Sequence, residues 1–119
     1  MNIVATRDSV AMGDDIDAPH EQYFSFPDST SIEQAIEKIV SSDYLASVQG
    51  GATWSAVSGI PICVVSQRWS QPRAVSWQPI EPSSLQVRNG VIGVHFNYHT
   101  QIDPEIVLEV IKRLKLNAF

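Results

Sequence analysis

Apolar residues along the chain switch between a two-residue and a 3.6-residue period, and the switches predict strands and helices. Ile32, Ala35, Ile36, Ile39 and Val40 fall on one helical stripe, with Glu33, Gln34, Glu37, Lys38 and Ser41 outside it. Thr30 and Glu33 stand in the T-x-x-E arrangement of a capping box, which predicts where this helix begins. A second helix is predicted behind Asp103 as N-cap and Pro104 at the first helical position. Its expected buried stripe is Ile106, Val107, Val110, Ile111 and Leu114. Glu105 and Glu109 come early and Lys112, Arg113 and Lys115 late, which suits the helix dipole.

The strands read less uniformly. Residues 2–7 and 22–26 predict two short strands, the second with Phe24 and Phe26 on one face. The uncharged stretch 44–67 predicts a meander over 45–48, 52–57 and 60–67, turning at Gly50-Gly51 and at Ser58-Gly59. Residues 60–65 are apolar on both faces, so this strand is expected in the middle of the sheet and covered on both sides. Pro72, Pro79 and Pro82 make 68–83 irregular, with a brief extended piece at 74–77. Asn89-Gly90 predicts a type I′ hairpin pairing Val87 with Ile92 and Leu85 with Val94. Together these elements predict an α+β fold: a largely antiparallel sheet of six to seven strands with two amphipathic helices packed on it. The return through the first helix leaves room for a parallel pair.

The length of 119 residues predicts one domain able to bury a core without disulfides or metals. The single cysteine, Cys63, lies in the most apolar run and is expected to be a buried hydrophobe. No export signal is legible, and the polar and proline-broken stretch 44–67 is unsuited to crossing a bilayer. The expected location is the cytoplasm.

Charge changes the picture more than composition does. Residues 1–60 carry nine acids and two bases, a formal −7, whereas residues 61–119 carry +2, giving −5 for the chain. An acidic front half argues against nucleic acid and suits a basic protein partner, with solubility as the plainer explanation.

Three groups of residues hold candidate chemistry. The loop 8–21 gathers Asp8, Asp14, Asp15, Asp17, His20 and Glu21. It matches neither an EF-hand nor H-E-x-x-H, so a solvated loop and a partner contact stand ahead of a metal site. The face of 91–98 opposite the apolar one carries His95 and Asn97, continued by His99 and joined by Arg88. Two histidines four residues apart on a strand are about 13 Å apart, too far to share a metal. Trp54, Gln67, Arg68, Trp69, Arg73 and Trp77 form an aromatic–cationic group of the kind found in interface hot spots, or an anchor for the 68–83 loop. P-loop, G-x-S-x-G, G-x-G-x-x-G and C-x-x-C signatures are missing, and no cofactor is expected.

The segments RDSVAMGDDIDAPHE and GGATWSAVS…VVSQRW, within residues 7–69, resemble small bacterial proteins of about 120 residues with no assigned motif. Some compact acidic proteins of that sort are immunity partners of secreted toxins. The resemblance implies a binding role and assigns no residue. Three functional expectations follow. The first is a non-enzymatic inhibitor or immunity-type protein meeting a basic partner through Asp14, Asp15, Asp17 and Glu21, with Arg68, Trp69 and Trp77 adjoining. The second is a small-molecule or hydrolytic site of Arg88, His95, Asn97 and His99. The third is a structural subunit of a homo-oligomer, such as a homodimer.

Overall fold

A computed structural model describes residues 1–76 and 78–116, without the side chains of residues 115 and 116. Its strands are β1 (Asn2–Arg7), β2 (Gln22–Ser25), β3 (Thr53–Ser58), β4 (Ile60–Ser66), β5 (Arg73–Ala74), β6 (Val87–Arg88) and β7 (Val91–Tyr98). Its helices are α1 (Ile32–Ser41) and α2 (Pro104–Leu116). All seven strands form one sheet in the order β2-β1-β7-β3-β4-β5, with β6 paired to the start of β7. Neighbours are antiparallel except β1 and β7, which run parallel from Asn2 opposite Val91 to Arg7 opposite Phe96. The α+β expectation is thus met, with seven strands and two helices.

The sheet is packed on both faces. On one, Ile3, Ala5, Trp54, Ala56, Cys63, Val65, Val94 and Phe96 meet Ile32, Ala35, Ile36 and Ile39 of α1. On the other, Val64 and Val75 meet Val107 and Leu108 of α2, with Trp69 and Ile111 beside them. β4 is therefore covered on both sides as its composition demands. Its position differs from expectation: it lies next to the two-residue edge strand β5, and β7 and β3 occupy the middle. A helix on each face buries a strand as well as central placement does.

Local signals explain most boundaries. Ser31, one residue after the expected cap, accepts from the Gln34 N–H while Gln34 returns a bond to the Ser31 N–H. The box shifts because the helix starts at Ile32, making Gln34 its third residue. Asn89 and Gly90 both take positive φ, and Val87 faces Ile92 as the type I′ turn requires. The Leu85–Val94 pair is absent: Pro82–Ser84 curls into a 3-10 turn, and the ladder ends with the Gly93 N–H donating to Gln86 O. Gly59 joins β3 to β4 with φ +71, and a Cβ there would stand 3.1 Å from Ser84 O. The strand expected over 45–48 does not form. Its backbone is held instead by Gln67, whose Oε1 accepts from the Val48 and Ala52 N–H groups.

Helix α2 begins as read, with Asp103 Oδ1 accepting from the Glu105 N–H. Its packed side differs from the expected stripe. Pro104, Val107 and Leu108 are buried, whereas Ile106, Val110 and Leu114 face outward. The helix carries two adjacent apolar rows, and β4 and Val75 can cover one. No helix among the described residues is long and apolar enough to cross a membrane.

Candidate functional site

The 8–21 loop is fastened at its base and open at its tip. Arg7 points into the α1 face of the sheet and is buried, so its charge requires a partner. Asp14 supplies it: Nη1 donates to Oδ2 at 2.8 Å and Nη2 to Oδ1 at 3.1 Å. The Val10 N–H also donates to Asp14 at 3.0 Å. The Arg7 hydrogen bonds, then that backbone bond, outweigh burial and hold the Asp14 carboxyl at about 2. Ser9 Oγ lies 3.0 Å from His20 Nε2, and the Tyr44 hydroxyl donates to His20 O at 2.6 Å. The Arg7 N–H donates to Pro19 O, closing the base.

Within this frame Met12–Asp17 forms a 3-10 turn with no buried residue. Met12 and Ile16 are 89% and 86% exposed. Asp15, Asp17 and Glu21 are exposed as well. Asp17 and Glu21 line a depression of about 460 Å³ together with Asp43, which comes from beyond the C-terminal end of α1. None of these three carboxylates has an ion-pair partner among the described residues. Asp43 has no signal in the local sequence: it reaches the loop because Tyr44 is packed between Phe24 and Phe96 beneath it.

Of the acidic residues expected to meet a partner, Asp14 is thus committed to Arg7, Asp15 and Asp17 are free at the surface, and the exposed Glu21 accepts from the Tyr23 hydroxyl at 2.7 Å. Arg68 and Trp69 are elsewhere. Arg68 Nη2 donates to Gly50 O and its side chain lies over Gly51, which fastens the 48–51 turn. Trp69 packs on the α2 cluster beneath the Arg73 guanidinium, 4.1 Å from its ring centre. Trp77 lies outside the described residues.

The histidine face gathers two hydrogen-bonded groups on the side of the sheet that carries α2. β1 stops at Arg7, leaving the Tyr98 N–H of β7 without a strand partner, and Asp8 Oδ2 accepts it at 2.8 Å. Asp8 Oδ1 lies 2.8 Å from His95 Nε2, and His95 Nδ1 lies 2.7 Å from Thr6 Oγ1. A proton on Nε2 given to the carboxylate leaves Nδ1 to accept from threonine. Burial alone would raise the Asp8 pKa, yet the Tyr98 N–H and the nearby histidines draw it below the ordinary value.

The second group pairs Ser55 Oγ with His99 Nε2 at 2.7 Å, with Asn97 Nδ2 3.5 Å from the same oxygen. Burial lowers the His99 pKa, which Asp8 partly opposes, so its imidazole is neutral at pH 7. A serine hydrogen-bonded to a neutral histidine can in principle be activated as a nucleophile. Here Ser55 is buried, and the described contacts give His99 no orienting carboxylate. Arg88 is at the far end of β7 and lines a separate depression of about 420 Å³ with Glu21, Tyr23 and Val91. The structure therefore joins His95 to Asp8 and Thr6, and Asn97 and His99 to Ser55, without bringing Arg88 to either. No group of three or more metal-ligating side chains is placed to hold an ion among the described residues.

No protein-family model, curated protein or solved structure matches the chain.

Proposed function

We propose that the protein is a non-enzymatic acidic binding protein, of the inhibitor or immunity type, that meets a basic protein through the tip of the 8–21 loop. One observation carries this reading: a loop pinned by Arg7–Asp14 and Tyr44–His20 exposes Met12 and Ile16 beside exposed carboxylates that form no ion pair among the described residues. A pinned loop loses little entropy when it docks. Exposed Met and Ile supply apolar contact, and Asp15, Asp17 and Glu21 supply a rim that attracts a basic surface. Asp43 adds a fourth carboxylate, beside a depression that Asp17 and Glu21 line together with Arg7 and His20 and that is wide enough to admit a lysine or arginine side chain.

The test is affinity capture from the source cell. Immobilised wild type should retain a basic protein, and two variants with unchanged Tm should not: Met12→Asp/Ile16→Asp and Asp15→Lys/Asp17→Lys/Glu21→Lys. Retention of the same protein by wild type and both variants, or of no protein by wild type, sinks the proposal.

A further inference from the structure

Helix α2 has more apolar surface than the sheet covers. Val107 and Leu108 are buried on Val64 and Val75. The adjacent row, Ile106, Val110 and Leu114, is 56%, 49% and 65% exposed, at i, i+4 and i+8. Burial of Val107 and Leu108 sets the roll of the helix, so this row cannot turn inward without exposing them, and the exposed Arg73–Glu105 pair agrees with that roll. On the outward flank of the row, Arg113 Nε donates to Glu109 at 3.0 Å. A shallow, largely apolar depression of about 460 Å³ lies over Ile106 and Val110, bordered by Glu109 and Arg113.

We propose that this row is a self-association surface on which a second copy of the chain lays its own α2 antiparallel, about a two-fold axis level with residue 111. The charge order selects this occupant. Glu109 and Arg113 sit on one flank, two residues to either side of that level, which is one residue beyond the row's midpoint at Val110. Reversing the second helix about that level brings each Glu109 opposite Arg113 of the other copy, and leaves Ile106 about 3 Å along the axis from Leu114 of the other copy. The acidic first half of the helix then lies along the basic second half of its neighbour, and the helix dipoles oppose. A parallel two-fold arrangement would put the two Glu109–Arg113 flanks on opposite sides of the pair, so these cross-pairs would not form. A row whose flanking charges invert about a level close to its centre is self-complementary, which is the requirement of an isologous interface. This surface uses no residue of the 8–21 loop.

Sedimentation velocity of the full chain at several concentrations tests it. Wild type should form a dimer that dissociates on dilution, and Val110→Glu should be monomeric. Glu109→Arg and Arg113→Glu should each weaken the dimer about tenfold, because each converts two exposed cross-pairs to repulsion. The double variant Glu109→Arg/Arg113→Glu should restore it. A change in the Tm of Val110→Glu would leave the charge-swap series to decide. Wild type that stays monomeric at about 0.5 mM overturns the proposal, since no useful affinity would remain. So does a folded Val110→Glu that dimerises like wild type, or a double variant as weak as the single ones.

Discussion

Arg7 and Asp14 form a two-pronged ion pair at 2.8 and 3.1 Å, in which a buried guanidinium is neutralised by the loop that covers it. Arg7 Nε has no partner of its own, so the pair is the main compensation for burying this charge. Asp14→Ala is expected to cost roughly 3 kcal/mol, or roughly 10 °C in Tm, by leaving the charge uncompensated. The pH dependence has a definite sign. The folded pKa of about 2 is below the ordinary 3.8, so the stabilisation is complete above 3.8 and is lost as pH falls toward 2. Urea titrations across that window should show a steeper loss for wild type than for Asp14→Ala.

His99 gives a second pH signature, nearer neutrality. Its pKa is below the ordinary 6.5, first because it is buried, with Asp8 pulling the other way. The unfolded chain then takes up its proton at a higher pH than the folded one, so acidification favours unfolding. Between about pH 7.5 and about pH 5.5, wild type should lose more stability than His99→Gln in parallel urea titrations.

Cys63 is buried, and burial, followed by the charge of Glu33, pushes its thiol up to about 12. Ellman's reagent at about pH 8 should leave the native protein unmodified and react fully once denaturant is added. Cys63→Ser should cost roughly 2 kcal/mol, because it places a hydroxyl among Ala56, Val65 and their neighbours.

Gln67 does more than follow a strand: its Oε1 accepts from the Val48 and Ala52 N–H groups at 2.9 and 2.7 Å. Gln67→Leu should cost roughly 1 kcal/mol, chiefly by orphaning the Ala52 N–H, since the Val48 bond is exposed to water. Limited proteolysis should then cut first within residues 46–52.

What the sequence disclosed depended on whether a signal was local. The α1 stripe, the Asn89-Gly90 turn and the Asp103-Pro104 start each lie within a few residues, and each is found in the structure. The shift from Thr30 to Ser31 occurred because two adjacent residues can both cap. In α2 the wheel identified apolar residues correctly, but only packing on Val64 and Val75 decides which of two rows is buried. Asp8 could not be joined to His95 in advance, since that contact depends on the parallel pairing of β1 with β7. Likewise, Asp14 looked like its acidic neighbours until Arg7 was found buried against it.

The parallel pair also governs when the chain can fold. Among the described strands β7 alone links β1–β2 to β3–β4–β5, and Thr6 and His95, which touch across the β1–β7 pair, are 89 residues apart. Pairing this distant carries a large closure cost, and sheets built on it assemble slowly for their size. During synthesis the early strands must wait as two unjoined hairpins until residues 91–98 leave the ribosome. The same dependence makes the molecule divisible. A chain cut within the irregular 78–81 segment should yield two fragments that are unfolded apart and regain the native sheet when mixed, because the second carries the joining strand.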